Sequence, residues 1–227
     1  MNEKEINEIY SYFVHYLSPI IFKYFTPIWI KPKDLPTNKP LLHDNVYIKD
    51  IPYGYDLAED ILKNGTYWFI VIECSKNYFL LREGLHRVYY LQQHQIGKER
   101  YLLAILKENA KDNKPLNETI LLPKSLELHL DSFKIEQRLV DLGDYYILKV
   151  KTTEELYNVY LILCFALIPE MHNYQEFKSH DSINNPEKFK ETFNLPILKM
   201  EYGKLVDEQG NKYSPAKFNM ESYTKIT

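Results

Sequence analysis

The stretch from Tyr78 to Leu106 constrains the fold of this chain more than any other part of the sequence. The apolar and aromatic run Tyr78–Arg82 predicts a strand, and Gly84 ends it. The spacing of apolar residues within Arg87–Ile96 predicts a helix, and Tyr101–Leu106 predicts a second strand. A strand, a tight turn, a helix and a returning strand together predict a sheet with at least one helix packed on it.

The segment before this stretch predicts a hairpin. Thr66–Cys74 is dense in β-branched and aromatic residues and predicts a strand, and Ser75–Asn77 supplies a turn into the next one. Asp56–Lys63 predicts a helix that stops at Gly65. Glu73 is expected on the solvent face of its strand. Because helices and a hairpin are mixed, the sequence predicts an α+β fold with a mixed sheet, not a doubly wound one.

The chemistry of this region is concentrated at the turn between strand and helix. Gly84 permits a positive φ, and His86 and Arg87 fall at the start of the helix, beside its unpaired N–H groups. Those groups and the helix dipole favour an anion, and an arginine fork matches phosphate oxygens. The turn therefore predicts a phosphate-binding site. The alternative is a purely structural turn in which His86 and Arg87 are solvated or paired with a nearby acid.

The sequence REGLHR, residues 82–87, resembles the phosphate-binding turn of the ParB/sulfiredoxin superfamily. The order of the preceding segments is also similar, with PIWIKPKDLP, residues 27–36, in the place of the family's first strand and following loop. The resemblance covers roughly residues 28–107. It implies a ParB/sulfiredoxin-like mixed sheet with helices. It also implies binding of a nucleoside triphosphate or diphosphate, such as ATP, with Mg²⁺, and phosphotransfer to a small hydroxyl acceptor or hydrolysis.

The resemblance also implies roles for particular residues. Gly84, His86 and Arg87 would hold the nucleotide phosphates. Glu83, His86 and Asp34 would be catalytic, and Glu83 would hold the metal. Asp34 is proposed because the loop 35–40 lacks the acid that the kinase-like members carry there, and Asp44 is the other nearby acid.

Two further departures narrow the activity. Leu85 stands where sulfiredoxin-like enzymes have a cysteine, so cysteine-sulfinate reduction is not expected. Gly65 is followed by Thr66, Tyr67 and Trp68 and not by the Gln-Pro pattern of CTP-binding partition proteins.

The remaining sequence divides into four predicted regions. Residues 1–25 predict an amphipathic helix ending before Pro19, residues 26–108 the ParB/sulfiredoxin-like domain, residues 118–213 a smaller C-terminal α+β region, and residues 214–227 a loose tail. Within the third region, residues 156–168 are apolar almost all round the predicted helix. This pattern predicts a central buried helix or one side of a homo-oligomer interface. No segment is apolar for long enough to predict a membrane span.

Composition limits the partners. The net charge of −3 over 227 residues gives no overall basic field, so DNA is a less probable partner than a nucleotide and a small-molecule substrate. Cys74 and Cys164 lie in apolar runs and predict buried free thiols, which favour a reducing, cytoplasmic location. The alternatives are a nucleotide-gated, partition-like DNA-binding or nuclease module, and a degenerate fold that serves as a protein-interaction module.

Overall fold

A computed structural model describes residues 2–35, 57–74, 79–108, 113–129, 139–171 and 178–226. The chain forms two compact units, each built from two separate segments. Unit 1 comprises residues 1–24 and 110–177, and unit 2 comprises residues 25–109 and 178–227. Asp44 and the loop 36–40 lie outside the described residues.

Strands are numbered in chain order within the described residues. They are β1 (Thr26–Ile30), β2 (Ile70–Cys74), β3 (Phe79–Glu83), β4 (Leu102–Glu108), β5 (Pro115–Pro123), β6 (Leu139–Leu142), β7 (Tyr145–Thr152), β8 (Lys199–Glu201), β9 (Lys204–Val206) and β10 (Lys212–Tyr213).

The helices of the described residues follow the same convention. They are α1 (Glu3–Tyr12), α2 (Ser18–Tyr24), α3 (Leu57–Asn64), α4 (Leu85–Gln93), α5 (Thr153–Met171), α6 (Asp181–Asn184), α7 (Pro186–Phe193) and α8 (Met220–Thr224). A π-helix spans Phe13–Leu17, and short 3₁₀ helices span Pro32–Asp34, Gly97–Glu99, Lys124–His129 and Pro215–Lys217.

Unit 2 is built on a mixed seven-stranded sheet with the order β10-β9-β8-β1-β4-β2-β3 in the part of the chain described. β2 and β3 are antiparallel neighbours, which confirms the predicted hairpin. β4 returns beside β2 in parallel and pairs with β1 in antiparallel orientation. The mixed α+β class is therefore confirmed. The helix predicted within Arg87–Ile96 is α4, which ends at Gln93 with the extended residue His94 as its C-cap, and Gly97 begins a 3₁₀ helix.

One face of this sheet packs against α3 and α4. Its buried core includes Ile70 and Ile72 of β2, Ala104 of β4, Ile61 of α3 and Leu91 of α4. On strands the side chains alternate between faces, so these even-numbered residues of β2 and β4 share one face. This packing fixes the amino end of α4 beside the start of β2, where the candidate site lies.

Unit 1 contains the antiparallel three-stranded sheet β5-β7-β6, the amino-terminal helices and α5. β5, the first strand of this sheet, ends at Pro123. α5 begins at Thr153 because Thr152 Oγ1 accepts a hydrogen bond from the Glu155 N–H at 3.2 Å. Buried residues occur on every side of the helix between Leu156 and Ala166, with only Phe165 exposed in that run. A buried helix is therefore present, while the oligomeric alternative stays a prediction.

The prediction that the amino-terminal helix ends before Pro19 is wrong. The helix passes through the π-helix Phe13–Leu17 into α2, which includes Pro19. In the wider π turn the Ser18 N–H donates to the Phe13 carbonyl, five residues back, and Ser18 Oγ donates to the same oxygen at 2.8 Å. A π turn inserted before the proline changes the register of the ladder, which is one way a helix accommodates Pro19 without breaking.

The predicted region 118–213 is not one unit. Residues 118–171 belong to unit 1, whereas β8, β9 and β10 extend the sheet of unit 2 because β8 pairs in parallel with β1. β9 and β10 form an antiparallel hairpin, and a turn at Tyr202 and Gly203 joins β8 to β9.

The prediction of a loose tail at residues 214–227 is also wrong. Residues 214–226 include the 3₁₀ helix Pro215–Lys217 and α8. Phe218, Met220 and Tyr223 are partly buried and pack against the core of unit 2.

No helix in the described ranges is long and apolar enough to cross a membrane. Cys74 and Cys164 are buried, as predicted.

Candidate functional site

Gly84 forms the turn between β3 and α4. Its φ of +94° lies in the left-handed region, and it is the N-cap of α4 without any side-chain cap. The Val88 N–H donates to the Gly84 carbonyl at 3.0 Å, which closes the first turn of the helix. The N–H groups of the residues before Val88 have no acceptor within the helix. The predicted strand–glycine–helix arrangement is thus present, with an uncapped helix start.

A close approach to β2 explains why glycine occupies position 84. A Cβ at this position would overlap Ile70 Cγ2 and would lie 3.1 Å from Arg87 Nη2. The turn therefore lies directly against the first residue of β2. Both the positive φ and the lack of space require glycine at this position.

Arg87 contacts the segment that leads into β2. Its Nη1 donates to the Trp68 carbonyl, its Nη2 donates to the Phe69 carbonyl at 3.3 Å, and its guanidinium carbon lies 5.5 Å from the centroid of the Trp68 ring. Arg87 is thus at the predicted turn, and in this structure its fork satisfies two backbone oxygens.

His86 is half-buried at the second position of α4, and its Nε2 atom is buried without a hydrogen-bond partner in the described part of the chain. A buried ring nitrogen without a partner costs free energy. A ligand atom that reached this nitrogen would complete its hydrogen bonding.

The two predicted acids occupy different places. Glu83 is the last residue of β3, directly before Gly84, and pairs in register with Val71. Asp34 ends the 3₁₀ helix Pro32–Asp34, whose Pro32 carbonyl accepts from Gln92 Nε2 at 2.8 Å, near the carboxyl end of α4. Glu83 is next to the turn in sequence. Asp34 belongs to a segment that is hydrogen-bonded to the opposite end of α4.

Mg²⁺ is commonly held by one or two carboxylates together with phosphate oxygens and waters. Glu83, next to the turn, fits that minimal requirement. Within the ranges described, no three His, Cys, Asp or Glu side chains converge as an all-protein metal site.

The loop between α3 and β2 is held by a residue that sequence reasoning missed. Asn184 accepts from the Thr66 N–H at 2.7 Å and donates to the Thr66 carbonyl at 3.1 Å. Ser179 Oγ donates to the Asn64 carbonyl at 2.7 Å, and Arg100 Nη1 donates to the Leu62 carbonyl at 3.3 Å. The segment 64–69 thus reaches the turn already held by side chains from distant parts of unit 2. Nothing in the local pattern around Asn184 signals this role.

Two groups around this loop have shifted pKa values. Burial raises the pKa of Tyr67 to about 12, with a further contribution from the charge of Asp60. Burial lowers the pKa of Arg100. Tyr67 is also an aromatic neighbour of Trp68, with ring centroids 6.0 Å apart. The site thus combines a cationic fork with two half-buried aromatic rings.

Glu73 is not on the solvent face of its strand, as had been expected, but is 2% exposed. Its Oε2 accepts from Arg82 Nε at 2.6 Å, and its Oε1 is buried without a partner in the residues described. Lys107, also buried, lies beside it in the β2–β4 register. Val71, on the same face of β2, is also fully buried, and the ion pair with Arg82 offsets the cost of burying the Glu73 carboxylate.

Comparisons with known proteins give this chain no relative: no protein-family model, curated protein or solved structure matches it.

Proposed function

We propose that this protein binds the phosphate groups of a nucleotide at the amino end of α4. The observation that carries the proposal is the uncapped start of α4 behind the positive-φ Gly84, with the buried and unpartnered Nε2 of His86 in its first turn. Helix N–H groups aimed in one direction and the positive end of the dipole bind phosphate. The charge of Arg87 adds to this field.

The nucleotide and the reaction come from the resemblance of residues 82–87 to the ParB/sulfiredoxin superfamily. On that basis the ligand is ATP or a related nucleoside triphosphate or diphosphate. The reaction is phosphotransfer to a small hydroxyl acceptor, or hydrolysis. Such chemistry depends on positioning and charge neutralisation more than on covalent steps.

Glu83 is the acid best placed for such a reaction, because it directly precedes Gly84. Mg²⁺, when bound, would neutralise phosphate charge and would be held by Glu83 together with phosphate oxygens. Asp34 is the weaker candidate for a catalytic acid, since its segment contacts the other end of α4 through Gln92.

A negative charge introduced at the helix start tests the phosphate site. In His86→Glu, a carboxylate in the first turn favours the helix dipole but repels phosphate. Gln93→Glu also introduces a glutamate, but at the exposed carboxyl end of the same helix, and serves as the control.

The measurement is the melting temperature with ATP, ADP, GTP, CTP and UTP, each with Mg²⁺. Ligand at about 100 times its Kd stabilises by about 2.7 kcal/mol. The proposal expects a shift in the wild type and in Gln93→Glu that is lost in His86→Glu. It fails if no nucleotide shifts the folded wild type, or if His86→Glu responds as the wild type does.

A second candidate is the degenerate fold that acts as a protein-interaction module. The observation that favours it is Arg87, whose fork donates to two backbone carbonyls and thereby serves the fold. Failure of every nucleotide in the melting experiment would favour this candidate.

A further inference from the structure

The guanidinium of Arg87 is held in place from three sides. Two of its nitrogens donate to consecutive carbonyls, those of Trp68 and Phe69, and the Trp68 ring lies beside the guanidinium plane. On the third side is the Cα of Gly84, where a Cβ would lie only 3.1 Å from Nη2. The missing side chain at position 84 therefore leaves room for the guanidinium.

We infer that Arg87 is a positioning residue, which fixes the start of β2 against the amino end of α4 and leaves the phosphate contacts to the backbone N–H groups and His86. This inference rests on the proposed function. It assigns Arg87 a different part from the direct phosphate contact that the sequence pattern predicts.

The cost of moving Arg87 supports this assignment. A guanidinium that turned towards a phosphate would leave the carbonyls of Trp68 and Phe69 without its N–H donors. Phe69 is fully buried, so its unpaired carbonyl would carry a desolvation cost. The free energy gained from a contact between Arg87 and phosphate would have to exceed that cost before the contact strengthened binding. The existing contacts of Arg87 require no such rearrangement.

The geometry also explains how Arg87 would affect binding without touching the ligand. Residues 68 and 69 lead into Ile70, the first residue of β2, and Ile70 occupies the space beside Gly84. Release of the carbonyls would free Ile70 and the turn to shift, and with them the direction of the first N–H groups of α4. A small misplacement of binding groups is sufficient to lose much of their effect.

Arg87→Lys tests the inference because it keeps the charge but removes the planar fork. The first readout uses no ligand: acrylamide quenching of Trp68, with Trp68→Phe in each background to subtract the contribution of the buried Trp29. The second readout is the dissociation constant for ATP with Mg²⁺ and for tripolyphosphate over a range of salt concentrations. Arg87→Gln, which removes both the charge and the guanidinium fork, is the second variant if Arg87→Lys does not fold.

The inference expects Trp68 to become more accessible in the variant before any ligand is added. It also expects affinity to fall by about 10-fold to 100-fold, with the salt dependence of binding unchanged, because no charge–phosphate contact is lost. Unchanged quenching of Trp68, or a smaller salt dependence in the variant, overturns it. If the wild type binds neither ATP nor tripolyphosphate, the proposed function fails, while the quenching readout still decides whether Arg87 positions β2.

Discussion

The side-chain amide of Asn184 pairs with both backbone groups of Thr66. Its Oδ1 accepts from the Thr66 N–H at 2.7 Å and its Nδ2 donates to the Thr66 carbonyl at 3.1 Å, across 118 positions of sequence. Nδ2 also donates to Ser179 Oγ and to the His180 carbonyl. The amide thus makes with Thr66 the two backbone hydrogen bonds that a neighbouring strand would make in a sheet. β2 itself begins only at Ile70.

Asn184→Asp should destabilise the protein strongly, although the two side chains have nearly the same shape. The carboxylate cannot donate, so the Thr66 carbonyl and its neighbours lose their partner and face a negative charge. We expect a loss of about 2–4 kcal/mol in the free energy of unfolding, measured in urea. Asn7→Asp, at an exposed position of α1, is the control and should change stability by less than about 0.5 kcal/mol. Equal effects of the two changes would contradict the role of Asn184.

Gly84→Ala should cost more than an alanine at another positive-φ glycine. At Gly84 a Cβ meets Ile70 as well as the strain of φ +94°, whereas at Gly210, with φ +84°, it meets nothing within 4 Å. We expect about 1–2 kcal/mol for Gly210→Ala and about 1–3 kcal/mol more for Gly84→Ala in urea unfolding.

The loss of stability in Gly84→Ala has a steric part, from the clash with Ile70, and a part from backbone strain at positive φ, and the two can be measured separately. Ile70→Ala removes the atom that clashes, so Gly84→Ala should cost less in the Ile70→Ala background than in the wild type. A cost that is the same in both backgrounds would show that strain alone requires the glycine.

The hairpin β2–β3 and the glycine turn were predictable because their causes are local. β-Branched and aromatic residues over residues 66–74, a short turn and Gly84 all act within a few positions of one another. The start of β2 was not predictable in the same way. Thr66 has strand-like neighbours, but it is held by Asn184, and the carbonyls of Trp68 and Phe69 are held by Arg87.

The candidate site shows the same limit. The positions of Gly84, His86 and Arg87 relative to one another follow from their spacing at a helix start. The partners of Arg87 do not, because a guanidinium that suits phosphate suits carbonyl oxygens equally well. Glu73 was expected to be exposed because alternation of residue types does not show that the odd-numbered face of β2, with Val71 at 0% exposure, is covered as well.

Arg82→Ala should leave the buried carboxylate of Glu73 without its ion-pair partner. Because Glu73 is 2% exposed while the Arg82 side chain is 47% exposed, we expect a loss of about 2–3 kcal/mol, below the range for a fully buried pair. Lys188→Ala breaks the exposed pair with Glu191 and is the control, with an expected loss below about 1 kcal/mol. Urea unfolding of both variants gives the comparison, and a small loss for Arg82→Ala would show that the ion pair is not needed.

Removal of residues 214–227 should destabilise unit 2. Phe218 and Tyr223 lie with their ring centroids 5.4 Å and 5.7 Å from that of Tyr213, and both pack against the core. Loss of these contacts should lower stability by about 2–4 kcal/mol in urea unfolding. A chain that ends at Lys225 lacks only Ile226 and Thr227 and should behave as the full chain does. A shortened chain of full stability would mean that the carboxyl-terminal segment is dispensable for the fold.

Asp207 should make the stability of unit 2 sensitive to acid. Its carboxylate is buried, which opposes ionisation, but hydrogen bonds from Asn211, Tyr213 and Tyr223 outweigh this and lower the pKa of Asp207 below its ordinary value. Because the folded pKa lies below the unfolded value of about 3.9, the stabilisation is complete above that value and is lost as the pH falls through the folded pKa. Asp207→Asn should therefore be less stable at neutral pH and should lose less stability on acidification.

Urea unfolding between about pH 7 and about pH 2 measures both effects for the wild type, Asp207→Asn and Glu221→Gln. Glu221 is an exposed acid of α8, and its replacement removes one carboxylate from the same part of the chain. It should leave the loss of stability in acid as large as in the wild type, because the hydrogen bonds to Asp207 are unchanged. If Asp207→Asn loses as much stability on acidification as the wild type, that loss arises from other carboxylates. The hydrogen bonds to Asp207 then do not lower its pKa.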